Sequence, residues 1–284
     1  MLPDRPIKID VAQVLASKLG KGSRYMLAPV VKLVEKLICQ DELNDLLERV
    51  FPRRGTEFCE ALLDELDVKL DVRGAGRMPL SPRCIVVSNH PLGGLDGISM
   101  IAWLSRHYGG EVRFVINDLL MAVEPLHDCF IPFNTTGNRG RQSRDAAAEL
   151  DRILQTDVPV VIYPAGLVSR LGDDGRIADL EWRKMVVHKA IESKRDIVPV
   201  HFGGENRRSF YRLARLRKRL GLKFNYEMVL LPREMVRCKG SRFTLTCGEA
   251  IPWQTFKGGA EAKTEAARLR EIVYSLPQKY NEEP

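Results

Sequence analysis

The sequence predicts an α/β fold with a mostly parallel central sheet flanked by helices, preceded by an N-terminal helical subdomain. Three observations lead there. Strand-like apolar runs at 84–88, 112–116, 158–162 and 196–200 alternate with helix-like segments at 97–107, 141–155 and 182–193. That alternation is the order that lays a parallel sheet between helical layers. The chain before residue 68 carries its apolar residues at helical spacing instead. With 284 residues, 44% of them hydrophobic, the chain can bury one large core or two modest ones.

The helical part comes first. Residues 25–38 set Leu27, Val30, Val31, Val34, Leu37 and Ile38 on one helical face, with Lys32, Glu35 and Lys36 opposite. Pro29 is best accommodated in a first turn, which places the helix start near Ala28. Leucines at helical spacing continue through 41–50 and 56–66. Residues 68–72 then alternate like a strand, and a loop bearing Gly74 and Gly76 leads into the run Cys84-Ile85-Val86-Val87. No internal repeat or low-complexity linker interrupts the chain. The division expected is a helical subdomain over 1–67 and an α/β domain over 68–284.

The most informative stretch follows that first core strand: Ser88-Asn89-His90-Pro91-Leu92-Gly93-Gly94-Leu95-Asp96-Gly97. A histidine and a carboxylate stand where a strand ends and a helix begins, among glycines that let the backbone turn sharply. A helix turns about 100° per residue, so positions six apart lie roughly 240° apart and face different ways. His90 and Asp96 therefore meet only if Pro91 to Gly94 forms a turn, and a proline followed by a glycine pair suits one. Two readings follow from the spacing alone. One is a general base with its orienting acid; the other is a strand-end histidine beside a helix-capping aspartate.

This run resembles the first block of the glycerolipid (lysophospholipid) acyltransferase superfamily, whose His and Asp are separated by four residues; here five intervene. NHPLGGLDG, with the later runs IPFNTTGN, YPAGLVSR and DLEWRK, is similar to a narrower bacterial branch. Its members are hemolysin-like acyltransferases related to enzymes that complete ornithine and glycine lipids. The resemblance spans about Asp41 to Trp253. It implies an acyltransferase-like fold in which His90 is the base toward an acceptor hydroxyl and Asp96 its partner. Asn89 is expected to help place the imidazole or an acceptor oxygen, with Gly93 and Gly94 at the substrate. No acyl-enzyme is expected, because the chain has no Gly-x-Ser-x-Gly elbow.

The later blocks bear on the acceptor. The superfamily usually has an arginine near the position of Phe133, associated with a phosphate; here that position is aromatic, beside Asn134, Arg139 and Arg141. In the third block, Pro164-Ala165-Gly166, the family-wide glutamate before the glycine is Ala165 and the arginine two residues after it is Val168. The nearest arginine is Arg170. Displacing an arginine fork weakens the case for a glycerol-phosphate acceptor, and Arg170 is expected to clamp the carboxylate of an N-acylated amino acid instead. Residues 196–204 read as an apolar core strand, with His201 a strand-end residue. His107, His127 and His188 carry no matching motif and read as structural or exposed.

A net charge of +7 suggests an acidic partner. The densest basic stretch, 207–220, interleaves Phe210, Leu213, Leu216 and Leu220 with Arg208, Arg212, Arg215 and Arg219. As a helix it would lie on an anionic bilayer or dock an acidic acyl carrier protein; the alternative is a core-packed helix with a solvated basic face. No nucleic-acid-binding motif accompanies the charge. There is no apolar run of about 18 residues and no secretory signal at residues 1–10. The six cysteines, with no Cys-x-x-Cys pair, read as buried thiols in a reducing compartment rather than a zinc site.

The function expected is therefore a peripheral O-acyltransferase at the cytoplasmic face of the inner membrane. It would use acyl-ACP or acyl-CoA as co-substrate, with no bound cofactor or metal, and acylate a lyso-amino-acid lipid. A 1-acylglycerol-3-phosphate acyltransferase and a catalytically inactive membrane-binding protein are the alternatives.

Overall fold

A computed structural model describes residues 5–13, 28–116, 123–132, 141–222 and 225–281. Three helices open it: α1 (Ala28–Ile38), α2 (Gln40–Val50) and α3 (Gly55–Glu65). The leucine periodicity finds its partner surface, since α2 buries Leu43, Leu46 and Val50 and α3 buries Phe58, Cys59, Leu62 and Leu63. Helix α1 begins at Ala28, with Pro29 in its first turn. Its apolar face divides differently from the expected one: Ile38 is buried, whereas Val30 and Leu33 are exposed, Leu33 at 65%.

The strands follow: β1 (Lys69–Arg73), β2 (Cys84–Ser88), β3 (Arg113–Ile116), β4 (Phe130–Pro132), β5 (Val160–Ile162), the hairpin β6 (Arg170–Leu171) and β7 (Ile177–Ala178), then β8 (Asp196–Phe202) and β9 (Arg242–Cys247). Between and after them lie helices α4 (Gly94–Tyr108), α5 (Arg141–Leu154), α6 (Met185–Ser193), α7 (Arg208–Arg219), α8 (Leu231–Val236) and α9 (Ala262–Asn281). The seven-stranded sheet has the order β1-β9-β8-β2-β5-β3-β4. From β8 to β4 every pairing is parallel. At the other edge β1 and β9 pair parallel to each other, and β9 runs antiparallel to β8. The sheet is thus mostly parallel, as the alternation of strands and helices predicts. The antiparallel join at β9 is a feature that alternation does not reveal.

Every residue of central β2 is buried, which is why it reads as an unbroken apolar run rather than an alternating one. The pleat sends Val86 to one face, into a cluster with Leu46, Phe58, Leu62, Leu95, Ile101, Val198 and Leu245. Ile85 and Val87 face the other way, against Leu150, Trp182, Val186, Leu269 and Val273. Helices α2 and α3 therefore share one core with the sheet. Buried Arg195 ties the loops at one end: it donates to the carbonyls of Leu154 (3.0 Å), Val158 (2.7 Å), Cys84 (3.2 Å) and Thr156. A cation on the last carbonyls of α5 also suits that helix's dipole. At the opposite end, β2, β5 and β8 all finish on one edge of the sheet. In parallel α/β sheets the crevice outside those carboxyl ends is where ligands bind.

Candidate active site

Strand β2 ends at Ser88 and α4 starts at Gly94, so His90 lies in the short connection at the sheet's carboxyl edge. Gly93 makes the turn possible, with φ 88° and Leu231 Cδ1 only 2.8 Å from where a Cβ would stand. Asp96 then points back from the first turn of α4, fully buried, with Oδ2 3.0 Å from His90 Nδ1. The same oxygen accepts the amides of Leu92 (2.9 Å) and Gly93 (3.3 Å), and Oδ1 accepts that of Gly97 (2.8 Å). Asp96 thus caps the helix and hydrogen-bonds the imidazole at the same time.

With Nδ1 facing a carboxylate, the proton sits there and Nε2 is left as the basic nitrogen. Among the described residues no protein group hydrogen-bonds to Nε2, and the side chain keeps 16% exposure. Burial alone would push the imidazole pKa down. The Asp96 charge, its hydrogen bond and the charge of Asp179 outweigh burial and an opposing push from Arg170, so the pKa is raised above the ordinary histidine value. The Tyr163 ring stacks on the imidazole at 4.1 Å, and its buried hydroxyl has no partner among the described residues.

Distant parts of the chain hold the connection in place. The His90 amide donates to Asp179 Oδ1 at 3.1 Å, and the His90 carbonyl accepts from the Ser169 amide at 2.8 Å. Asp179 is itself buried. It accepts the Ser169 hydroxyl (2.6 Å) and the Trp182 indole (2.9 Å), while its own amide donates to the Tyr274 hydroxyl (2.8 Å). The Asn206 side-chain amide donates to the Pro91 carbonyl at 3.0 Å. Sequence reasoning missed Asp179, Trp182, Ser169, Asn206 and Tyr163 as parts of the site. Asp179 and Trp182 do lie in the DLEWRK run that carries part of the resemblance; nothing in the sequence singles out Asn206.

Two expected roles change. The Asn89 amide is spent on the backbone of Phe202, giving to its carbonyl at 2.9 Å and accepting its N–H at 2.8 Å. It ties the end of β2 to the end of β8, and among the described residues it makes no hydrogen bond to the imidazole. Arg170 is turned inward: it donates to Glu227 Oε1 at 3.0 Å and the Val168 carbonyl at 2.8 Å, and lies over the Phe210 ring. Buried Glu227 needs that cation, together with Arg217 at 3.0 Å, so Arg170 is not available as the carboxylate clamp. Pro164 and Ala165 are buried while Gly166 is exposed, at a turn that follows Tyr163. Gly94 is exposed at the start of α4. Phe133, Asn134 and Arg139 lie outside the described residues.

Burial raises the thiol pKa values. All six cysteines are free, and burial raises Cys84, Cys129 and Cys238 to about 11 and Cys247 to about 12. His201 is pushed down to about 4 by burial and sits edge-on to Tyr274 at 5.8 Å. Among the described residues no group of three or more His, Cys, Asp or Glu side chains is placed to hold a metal ion.

A family profile described as acyltransferase matches residues 13–280. The chain belongs to the acyltransferase family. It is 41% identical over 276 residues to the lyso-glycine lipid O-acyltransferase of Phocaeicola vulgatus, covering 97% of this chain and 98% of that protein. It is equally 41% identical to the lyso-glycine lipid O-acyltransferase of Bacteroides thetaiotaomicron, covering 97% and 100%. Among solved structures it is similar to the 1-acyl-sn-glycerophosphate acyltransferase PlsC of Thermotoga maritima, at 14% identity and a TM-score of 0.47 over 92% of this chain and 94% of that one.

In this acyltransferase the basic stretch forms α7, and the helix splits its apolar residues. Phe210, Tyr211 and Ala214 are buried, Phe210 and Tyr211 in a small cluster with Val168 and Leu230. Leu216 and Leu220 are 52% and 62% exposed. Arg208, Arg212 and Arg219 are exposed; Arg215 is half-buried and donates to the Gly172 carbonyl at 2.8 Å. Both α7 and α1 pack on the short 3-10 turn at Tyr226–Leu230. The two helices that carry exposed apolar residues thus share that turn as a common neighbour. No helix among the described residues is long and apolar enough to cross a membrane.

Proposed function

We propose that this acyltransferase moves a fatty acyl group from a carrier thioester to the hydroxyl of a lyso-amino-acid lipid, a lyso-glycine lipid first. The observation that carries the chemistry is the His90 Nδ1–Asp96 Oδ2 contact of 3.0 Å with Nε2 unengaged. The acceptor follows from the two relatives named for lyso-glycine lipid. The reaction needs one base. The acceptor hydroxyl gives its proton to His90 Nε2 while its oxygen attacks the thioester carbonyl carbon. Asp96 holds the imidazole in the required tautomer and stabilises the imidazolium. The carbon–sulfur bond then breaks, and the thiolate leaves as a thiol with the proton returned by His90. The high thiol pKa values support direct transfer without a cysteine acyl-enzyme.

The protein works at the cytoplasmic face of the inner membrane, held by α7 and its neighbours, with acyl carrier protein as the preferred donor. Exposed leucines beside Arg208, Arg212 and Arg219 support contact with an anionic lipid surface. The deciding experiment is acyl transfer from labelled acyl carrier protein to lyso-glycine, lyso-ornithine and lysophosphatidate acceptors, with His90→Ala alongside. Transfer to the amino-acid lipids that vanishes in the variant is the expected result. Efficient acylation of lysophosphatidate with none of the others would make the protein a glycerol-phosphate acyltransferase. No transfer to any acceptor by folded, lipid-bound protein would make it a binding module.

A further inference from the structure

We propose that the Arg183 guanidinium binds the free carboxylate of the acceptor while the acceptor's hydroxyl lies at His90. The inference rests on the lyso-amino-acid lipid reading and names the group that recognises the amino-acid end. The segment from Asp179 to Arg183 first secures the site and then crosses the turn after β5. Asp179 holds the His90 amide, the buried Trp182 indole donates to Asp179, and the Arg183 amide donates to the Pro164 carbonyl at 3.1 Å. The base of the Arg183 side chain is thereby fixed beside the turn that follows Tyr163, the ring stacked on the imidazole.

From there the exposed side chain lies over Gly166. Cζ and the two terminal nitrogens are 3.4, 3.5 and 3.5 Å from the point where a Gly166 Cβ would stand. Near-equal distances from three atoms mean that the guanidinium plane lies flat on the turn, with its N–H edges running parallel to it. Gly166 has φ +68° and no side chain, so the backbone can adopt this turn and leave the cation its seat. Among the described residues no hydrogen bond or ion pair engages the Arg183 guanidinium. The neighbouring arginines are committed. Arg170 is bound to Glu227, and Arg270 donates to the Asp179 carbonyl at 2.8 Å and covers the Tyr274 ring.

A planar fork with unspent donors matches a carboxylate in two parallel hydrogen bonds. In an N-(3-hydroxyacyl) amino acid, six covalent bonds run from the hydroxyl oxygen to the carboxylate carbon, a reach of about 7 Å when extended. The assignment requires the Arg183 fork to lie about that far from His90 Nε2, across the Tyr163 ring that stacks on the imidazole. Arg183 is then the carboxylate clamp that sequence reasoning assigns to Arg170.

The test uses the full chain, with Arg183→Met and Arg183→Lys, on N-(3-hydroxyacyl)glycine and on its methyl ester. The wild type should favour the acid. Arg183→Met should raise KM for the acid about 10- to 100-fold, the usual range for losing a charged hydrogen-bonded contact, leave kcat within about two-fold, and lose the preference over the ester. Arg183→Lys, which keeps the charge but not the fork, should fall between. Binding of N-acylglycine lacking the 3-hydroxyl, measured by calorimetry, reads the same contact without turnover. Equal affinity of wild type and Arg183→Met for that ligand would overturn the inference, as would an unchanged acid-to-ester ratio while wild-type transfer proceeds. Wild-type transfer to lysophosphatidate alone would instead overturn the acceptor reading on which the inference stands.

Discussion

Around His90 two buried carboxylates are fully engaged by hydrogen bonds, whereas along α7 and α1 apolar groups stand exposed beside charges. Asp96 accepts three amides besides the imidazole, and Asp179 accepts from His90, Ser169 and Trp182. Leu33, Leu216 and Leu220 have no such enclosure. A base must be held in one orientation and at one pKa, which requires low mobility and satisfied dipoles. A surface that meets lipid needs the reverse, since its apolar side chains find their partner only in the bilayer. Changes in the first region should therefore alter rate and pH dependence with lipid affinity intact, and changes in the second should do the opposite.

The largest effect tests the first half of that contrast. His90→Ala should lower kcat about 10²- to 10⁴-fold, the usual worth of a positioned base, while vesicle binding and the circular dichroism spectrum stay as in the wild type. A parallel loss of vesicle binding would break the separation. Asp96→Asn should cost nearly as much, because the amide has no charge to stabilise the imidazolium and its NH2, at either oxygen's place, would face a donor.

Neutralising Arg208, Arg212 and Arg219 to Gln tests the other half. At about 1 kcal/mol per basic residue near an anionic surface, vesicle affinity should fall roughly 100-fold in dilute salt. The loss should shrink as ionic strength rises. Turnover on detergent-dispersed acceptor should hold. Unchanged affinity at low salt in a flotation assay would remove α7 from the membrane contact.

Asp179→Asn sharpens the comparison within the site. The wild-type rate should rise with pH as His90 loses its proton, with a midpoint above the ordinary histidine value because Asp96 and Asp179 favour the charged form. Removing the Asp179 charge should move that limb toward lower pH, a displacement that a merely structural aspartate would not produce. The smallest effect concerns stability. His201 is pushed down to about 4 in the folded chain, so between about 6.5 and 4 the unfolded chain binds more protons and folding weakens as pH falls. His201→Gln should flatten that part of the urea-melt profile; an unaltered profile would show that His201 does not contribute.

Much of the scaffold was legible because its signals are local. β2 and β8 are continuous apolar runs, α2 and α3 repeat leucines at helical spacing, and Pro29 marks a helix start. The pairing of His90 with Asp96 was legible as a condition, namely that Pro91 to Gly94 should turn, which Gly93 at φ 88° does. Arg170 was misread because a charge four residues past a glycine looks available until its partner is known, and Glu227 lies far away in sequence. The same holds for β9, whose antiparallel seat beside β8 depends on the path of the intervening chain.

By itself, then, the sequence determined the α/β class, the strand that leads into His90 and the turn that lets His90 meet Asp96. Those follow from periodicity, turn chemistry and spacing over a few residues. The tertiary structure decided which charges are spent inside and which remain for a ligand. It set Asp179 against the His90 amide, turned Arg170 toward Glu227 and laid Arg183 over Gly166. Hydrogen bonds and ion pairs form between groups adjacent in space, and when those groups lie tens of residues apart only the packing of the elements that carry them brings them together.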